Sequence, residues 1–147
     1  MIRGMHHVGI SVVSLERSME FYARVFGLTP LAPPETFQGR AYERLLGLPA
    51  VRGRVVLLAG NAFRVELFEF ECPQPQGRDP GTPVSNHGLS HFCVEVDSID
   101  RLYNLLVASG VRAHCEPLFF QGEGSATYIR DPDGNVIEIF EPGSRAP

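Results

Sequence analysis

The chain switches rhythm in the same order twice. Over residues 6–13 the apolar Val8, Ile10 and Val12 share one parity while His7, Gly9 and Ser11 take the other, which is the two-residue period of a strand with one buried face. From Leu15 the apolar positions fall instead at Met19, Tyr22, Val25 and Phe26, a helical stripe. Ser14 stands where an N-cap belongs, residues 17–27 form the body, and Gly27 supplies the stop. The later stretch repeats this. Residues 90–96 read as a strand with Phe92, Val94 and Val96 on one face and His91 and Cys93 on the other. Asp97-Ser98 then caps a helix whose stripe is Ile99, Leu102, Leu105 and Leu106 and which ends at Gly110. Extended runs follow each helix, at 28–31, 54–58 and 62–70 in the first half and at 111–116, 126–130 and 136–140 in the second.

Each half is thus predicted as β-α-β-β-β, and the halves share words as well as rhythm. Gly60-Asn61 leads to Val65-Glu66-Leu67-Phe68-Glu69, and Gly134-Asn135 leads to Ile137-Glu138-Ile139-Phe140-Glu141. Asp131-Pro132-Asp133-Gly134-Asn135 has the chemistry of a tight turn between the last two strands, since Asp and Asn bond their own backbone and Gly accepts a positive φ. Residues 72–87, with Pro73, Pro75, Gly77, Pro80, Gly81 and Pro83, read as a linker. The expectation is an α+β protein: a first module over 1–71, the linker over 72–87 and a second module over 88–147. Together they make a single domain in which the two tandem modules form a curled mixed sheet around a metal-binding cleft. Residues 33–49 have no counterpart of equal length in the second half; Tyr42 to Gly47 can form a helical turn there, in an insertion that either shapes a pocket or covers the surface.

Composition narrows the function classes. A chain of 147 residues that is 44% hydrophobic and 20% charged is an ordinary globular chain with enough length for a core. A net charge of -4 without a Lys/Arg cluster argues against nucleic acid as a partner. Cys72, Cys93 and Cys115 form neither a disulfide framework nor a zinc ribbon, and no run of apolar residues is long enough for a span, so a soluble cytoplasmic protein without membrane contact is expected.

The chemistry lies in the strand phase. His7 and His91 are out of phase with the aliphatic residues of their strands, Glu66 is out of phase with Val65 and Leu67, and Glu138 with Ile137 and Ile139. All four therefore face away from the layer that packs on the helices. Two neutral imidazoles and two carboxylates suit one divalent ion, whether zinc, nickel, cobalt, manganese or ferrous iron, and balance its charge. An octahedral ion so held keeps two positions for neighbouring oxygens of a small substrate. His6 competes with His7 for the first position, but it lies in phase with Val8 and Ile10. Cys93 shares the face of His91; Phe119, Phe120, Tyr128 and Phe140 offer an apolar wall; Arg40, Arg44, Arg52 and Arg54 offer charge to an acidic substrate. Glu69 and Glu141 read as solvated charges at the rim, and His87 and His114 as ordinary polar residues.

His6-His7-Val8-Gly9-Ile10, the run from Arg17-Ser18-Met19-Glu20-Phe21-Tyr22 to Phe26-Gly27-Leu28, Gly88-Leu89-Ser90-His91-Phe92, and Asp131-Pro132-Asp133-Gly134-Asn135-Val136-Ile137-Glu138 together resemble the vicinal oxygen chelate superfamily. That group contains glyoxalase I, methylmalonyl-CoA epimerase, extradiol dioxygenases and fosfomycin-resistance proteins. The resemblance runs from residue 6 to residue 142. It implies metal ligands His7, Glu66, His91 and Glu138 from the first, fourth, fifth and eighth strands, and a filled Glu66 position looks like the isomerase and epimerase members. The implied activity is a metal-dependent lyase, isomerase or epimerase that removes a proton beside a carbonyl of a substrate with vicinal oxygens, with Glu138, Glu66 or Glu43 as base. An extradiol-type ring-cleaving dioxygenase using ferrous iron and a non-catalytic protein that sequesters a ligand are the alternatives. A homodimer is the expected assembly, because members pair their modules within one chain or across two.

Overall fold

The computed structural model describes residues 1–77 and 79–143; position 78 of the expected linker and 144–147 at the end of the expected second module lie outside the described residues. The chain divides into two compact units, Met1–Gly77 and Arg78–Pro147. Each is a mixed sheet, with two helices in the first unit and one among the described residues of the second, the α+β class expected.

In the first unit the order is β1 (Val8–Ser11), α1 (Leu15–Phe26), β2 (Thr29–Pro30), β3 (Glu35–Gln38), α2 (Arg40–Leu46), β4 (Arg52–Ala59) and β5 (Arg64–Cys72). The sheet runs β1-β5-β4-β2, with β3 also paired to β4. β1 and β5 are parallel neighbours although the rest of the unit lies between them in sequence, and the other pairs are antiparallel. α1 follows its sequence signals closely: the Ser14 hydroxyl accepts the Arg17 amide, and Gly27 ends the helix at φ 66°, the left-handed conformation glycine adopts without penalty. The helix packs on β4 and β5. Leu15 and Tyr22 of α1 and Leu58, Val65 and Leu67 of the sheet are all fully buried, each such side chain contributing roughly 1.5–3 kcal/mol.

The insertion holds more structure than a helical turn. β3 extends the sheet and α2 follows it, so the first unit exceeds the expected β-α-β-β-β by a strand and a helix. Phe37 is fully buried and pairs across the ladder with Gly53. A Cβ at Gly53 would lie 2.6 Å from the Phe37 ring, so the glycine makes the seat for it. Around Phe37 stand Tyr42 of α2 at 5.5 Å, Phe68 at 5.6 Å and Phe70 at 5.2 Å between ring centroids. The insertion therefore roofs one end of the sheet face opposite α1.

The second unit contains β6 (Phe92–Glu95), α3 (Ile99–Ala108), β7 (Leu118–Phe120), β8 (Gly124–Arg130) and β9 (Val136–Pro142), with sheet order β6-β9-β8-β7. β6 and β9 are parallel, repeating the β1 and β5 arrangement. The strand expected over 111–116 is reduced to a single bridge between Ala113 and Ile129. The His114 amide does reach the Tyr128 carbonyl, but the next carbonyl, on Cys115, is taken by the Thr127 hydroxyl, and Pro117 has no amide to continue a ladder. Pairing restarts at Leu118.

The turn before β9 forms as its residues dictate. The Asp131 carboxylate accepts the backbone amides of Asp133 and Asn135 and the Asn135 side-chain amide. Gly134, at φ 84°, comes so close to Pro80 that a Cβ would sit 2.4 Å from the Pro80 Cα. Buried Arg130 completes the clamp by donating to the carbonyls of Pro80, Thr82 and Gly134. Part of the expected linker is thus strapped to the second unit.

Candidate metal centre

The parallel strand pairs set the position of each candidate ligand. In the first unit Gly9 lies opposite Glu66, so His7, two residues earlier and on the same side of β1, leans over the Glu66 carboxylate. In the second unit Cys93 lies opposite Glu138, and His91 occupies the matching place. The side chains meet accordingly. His7 Nε2 is 3.2 Å from Glu66 Oε2, and His91 Nε2 is 3.0 Å from Glu138 Oε2. Glu66, His91 and Glu138 are half-buried and His7 is exposed, while their strand neighbours Val65, Leu67, Ile137 and Ile139 are fully buried on the helix side.

The donor sets fit a divalent ion. Two ligands at roughly 2.1 Å from an ion and at a right angle are about 3 Å apart, the separation both pairs already show. Among the described residues no three or more His, Cys, Asp or Glu side chains form a cluster able to hold an ion; each His–Glu pair offers two donors. Ser90 Oγ lies 2.9 Å from His91 Nδ1 and holds the ring on the side away from Glu138. His7 is held differently. His6 Nδ1 is 2.7 Å from His7 Nδ1, and His6 Nε2 is 2.7 Å from an Arg64 guanidinium nitrogen, so His6 supports His7 from behind.

The two halves differ in the residues flanking each glutamate. Glu66 lies between Gly9 and Leu57, and Glu138 between Cys93 and Tyr128. Burial, followed by the charge of and a hydrogen bond to Glu138, pushes the Cys93 thiol up to about 11. Tyr128 is likewise raised, first by burial and then by Glu138. Its ring stands 5.0 Å from that of His91 and 5.8 Å from that of His114. His114 accepts from Arg130 Nε at 3.1 Å, so it belongs to the clamp on the turn.

Glu69 and Glu141 are not rim charges. Each lies three residues beyond its partner glutamate, which turns it to the helix side of the strand. There Glu69 accepts the Leu15 amide and Glu141 the Ile99 amide, both at 2.7 Å, each capping the helix of its own unit. The repeated Glu-x-x-Glu spacing carried that signal. Arg54 completes the first cap, donating to Glu69 at 2.7 Å and to Glu16 at 2.6 Å, and Arg52 pairs with Glu71. These two arginines are engaged in the fold, and the Arg54 guanidinium holds the Glu16 carboxyl down to about 2. Glu43 accepts the Ala50 amide at 3.0 Å, closing the loop after α2. All three cysteines are free.

A family model described as the Glyoxalase/Bleomycin resistance protein/Dioxygenase superfamily matches residues 4–139. The chain belongs to this superfamily. A lactoylglutathione lyase of Arabidopsis thaliana is 29% identical over 139 residues, covering 93% of this chain and 44% of that protein. The chain therefore spans less than half the length of that relative. The mitochondrial methylmalonyl-CoA epimerase of Dictyostelium discoideum is 26% identical over 146 residues, covering 93% of this chain and 77% of the epimerase. Among solved structures, a glyoxalase family protein from Bacillus cereus superposes with a TM-score of 0.86 at 23% identity, covering 97% of this chain and 95% of the other. The trypanothione-dependent glyoxalase I of Leishmania major gives 0.63 at 20% identity, covering 95% and 87%. The superfamily relatives also include an organoarsenical cleaving enzyme and a metallothiol transferase. No helix among the described residues is long and apolar enough to cross a membrane.

Proposed function

We propose that the chain is a cytoplasmic, divalent-metal-dependent lyase, isomerase or epimerase that removes a proton beside a carbonyl, with His7, Glu66, His91 and Glu138 as the ligands of one ion. The observation that carries this is the repeated His–Glu contact, 3.2 Å in one unit and 3.0 Å in the other, built on the same parallel strand pair each time. Each pair supplies two donors, so one ion takes a pair from each of two units, within one chain or between the copies of a homodimer. When bound, the ion supplies a Lewis acid for two vicinal substrate oxygens and stabilises negative charge developing on them.

The work of the chain is to hold and move the proton. Glu66 or Glu138 takes it from the substrate carbon, and the partly buried faces around them limit water at that carboxylate. The flanking Leu57 and Tyr128 side chains bound the substrate laterally on the two halves. Glu43, already bonded to the Ala50 amide, is the third candidate base.

The names of the relatives supply the first substrates to try, lactoylglutathione and methylmalonyl-CoA. Assays of metal-free protein reconstituted with zinc, nickel, cobalt, manganese or ferrous iron, run with and without oxygen, test the proposal. Turnover that ignores oxygen and falls by about 10²–10⁴-fold in Glu66→Gln or Glu138→Gln supports it. Oxygen uptake with ferrous iron alone would instead identify a dioxygenase, and binding without turnover a sequestering protein.

A further inference from the structure

The two halves differ in what stands behind each histidine. In the second unit the neighbour of His91 Nδ1 is the Ser90 hydroxyl at 2.9 Å, a group that can either donate or accept. In the first unit His6 takes that place. Its Nδ1 lies 2.7 Å from His7 Nδ1, and its Nε2 lies 2.7 Å from an Arg64 guanidinium nitrogen. Arg64 stands two residues before Glu66 on β5 and so shares its face. The residue two before Glu138 is buried Val136, whose side chain has no polar group.

A guanidinium donates and never accepts. His6 Nε2 therefore accepts from Arg64, and the His6 ring carries its proton on Nδ1, since a ring accepting at both nitrogens would be an imidazolate. That Nδ1–H donates to His7 Nδ1. The His7 proton then lies on Nε2, directed at Glu66 Oε2 3.2 Å away. The contacts have one direction, from Arg64 through His6 and His7 to Glu66.

We infer that Arg64, acting through His6, is a positioning residue that lowers the metal affinity of the His7–Glu66 pair by keeping a proton on the nitrogen an ion needs. The inference rests on the chelation proposed above and concerns its regulation. For His7 Nε2 to offer its lone pair, its proton passes to water, the His6 Nδ1 proton shifts along the hydrogen bond to His7 Nδ1, and water returns a proton to His6 Nε2. No proton is gained or lost overall. The new His6 Nε2–H then faces a donor, so the guanidinium has to leave. The His91–Glu138 pair carries no such brake, because the Ser90 hydroxyl serves His91 Nδ1 in either sense.

Nitrogen-15 NMR of the metal-free full chain at about pH 8, where an ordinary imidazole holds one proton, reads the tautomers directly. The proton should lie mainly on Nδ1 in His6 and on Nε2 in His7. Zinc titration of the same protein measures the brake. His6→Ala and Arg64→Met, both at exposed positions, should each tighten zinc binding by about two- to fivefold, the size of an exposed charge-assisted contact. With His6 already replaced, Arg64→Met should add no further gain. An even tautomer mixture or a proton mainly on His7 Nδ1, or weaker zinc binding in His6→Ala, overturns the inference and leaves the chelation reading standing. So does a gain from Arg64→Met that persists without His6, which would be charge repulsion through space. Failure of zinc to bind the wild type and every variant overturns both.

Discussion

Glu69 and Glu141 make a matched pair of experiments, because each caps the helix of its own unit through one carboxylate-to-amide bond of 2.7 Å. Glu141→Ala removes the bond to the Ile99 amide, next to a residue only 2% exposed, so the orphaned donor cannot simply turn to bulk water. A charge-assisted hydrogen bond at a helix N-terminus is worth roughly 1.5–3 kcal/mol. Glu69→Ala removes the same bond at Leu15, which is fully buried, and also one of the two carboxylates facing Arg54. Arg54 keeps Glu16, and the Arg54–Glu69 pair is partly solvated, so the ion pair adds only about 0.5–1 kcal/mol. The expected losses are therefore about 1.5–3 kcal/mol at Glu141 and about 2–4 kcal/mol at Glu69. Urea unfolding of the two variants, with hydrogen exchange read at the Leu15 and Ile99 amides, measures them. The affected amide should exchange faster in each variant and the other should not. Losses within about 0.5 kcal/mol, the range of ordinary surface changes, would refute the capping role and return both residues to the rim.

Gly134→Ala should cost about 2–5 kcal/mol in urea unfolding, because the added Cβ meets the Pro80 backbone and the residue sits at φ 84°. Cys93, with its thiol pushed up to about 11 against an ordinary 9.0, should react with iodoacetamide at pH 8 about 10-fold more slowly than an unperturbed cysteine, because a more nucleophilic thiolate offsets part of its scarcity; peptide mapping by mass spectrometry reads this, and equal labelling of Cys93 and a model thiol would contradict it. His114 is lowered from 6.5 by burial, then by Arg130 and Arg112, so the unfolded chain binds its proton first on acidification. Its contribution to stability is full above pH 6.5 and declines as pH falls through and below that value. His114→Gln should flatten that part of the stability–pH curve; an unchanged slope contradicts the assignment.

Much of the fold could be read from the chain because its signals are local. The Ser14 cap, the stop at Gly27 and the aliphatic phase of Val65 and Leu67 all act within a few residues, and the structure follows them. The repeat placed His7 with Glu66 and His91 with Glu138 on one face within each unit for the same reason, since strand parity is a local property. What escaped depends on distant partners. β3 is four residues long and exists because it pairs with β4, and Phe37 is buried because Gly53 leaves it room. The run 111–116 had the composition of a strand but lost its ladder to the Thr127 hydroxyl and to Pro117. Glu69 and Glu141 looked like rim charges because the amides they cap lie 54 and 42 residues away in sequence.

In the proposed metal centre two His–Glu pairs share one ion. Titrating metal-free protein with zinc by calorimetry, with the bound metal counted by mass spectrometry, tests it most directly in the wild type and in the double variants His7→Gln, Glu66→Gln and His91→Gln, Glu138→Gln. A shared ion gives one tightly bound ion per chain in the wild type and loss of tight binding in either variant. Two independent ions per chain, or an ion held with unchanged affinity after one pair is removed, would contradict it.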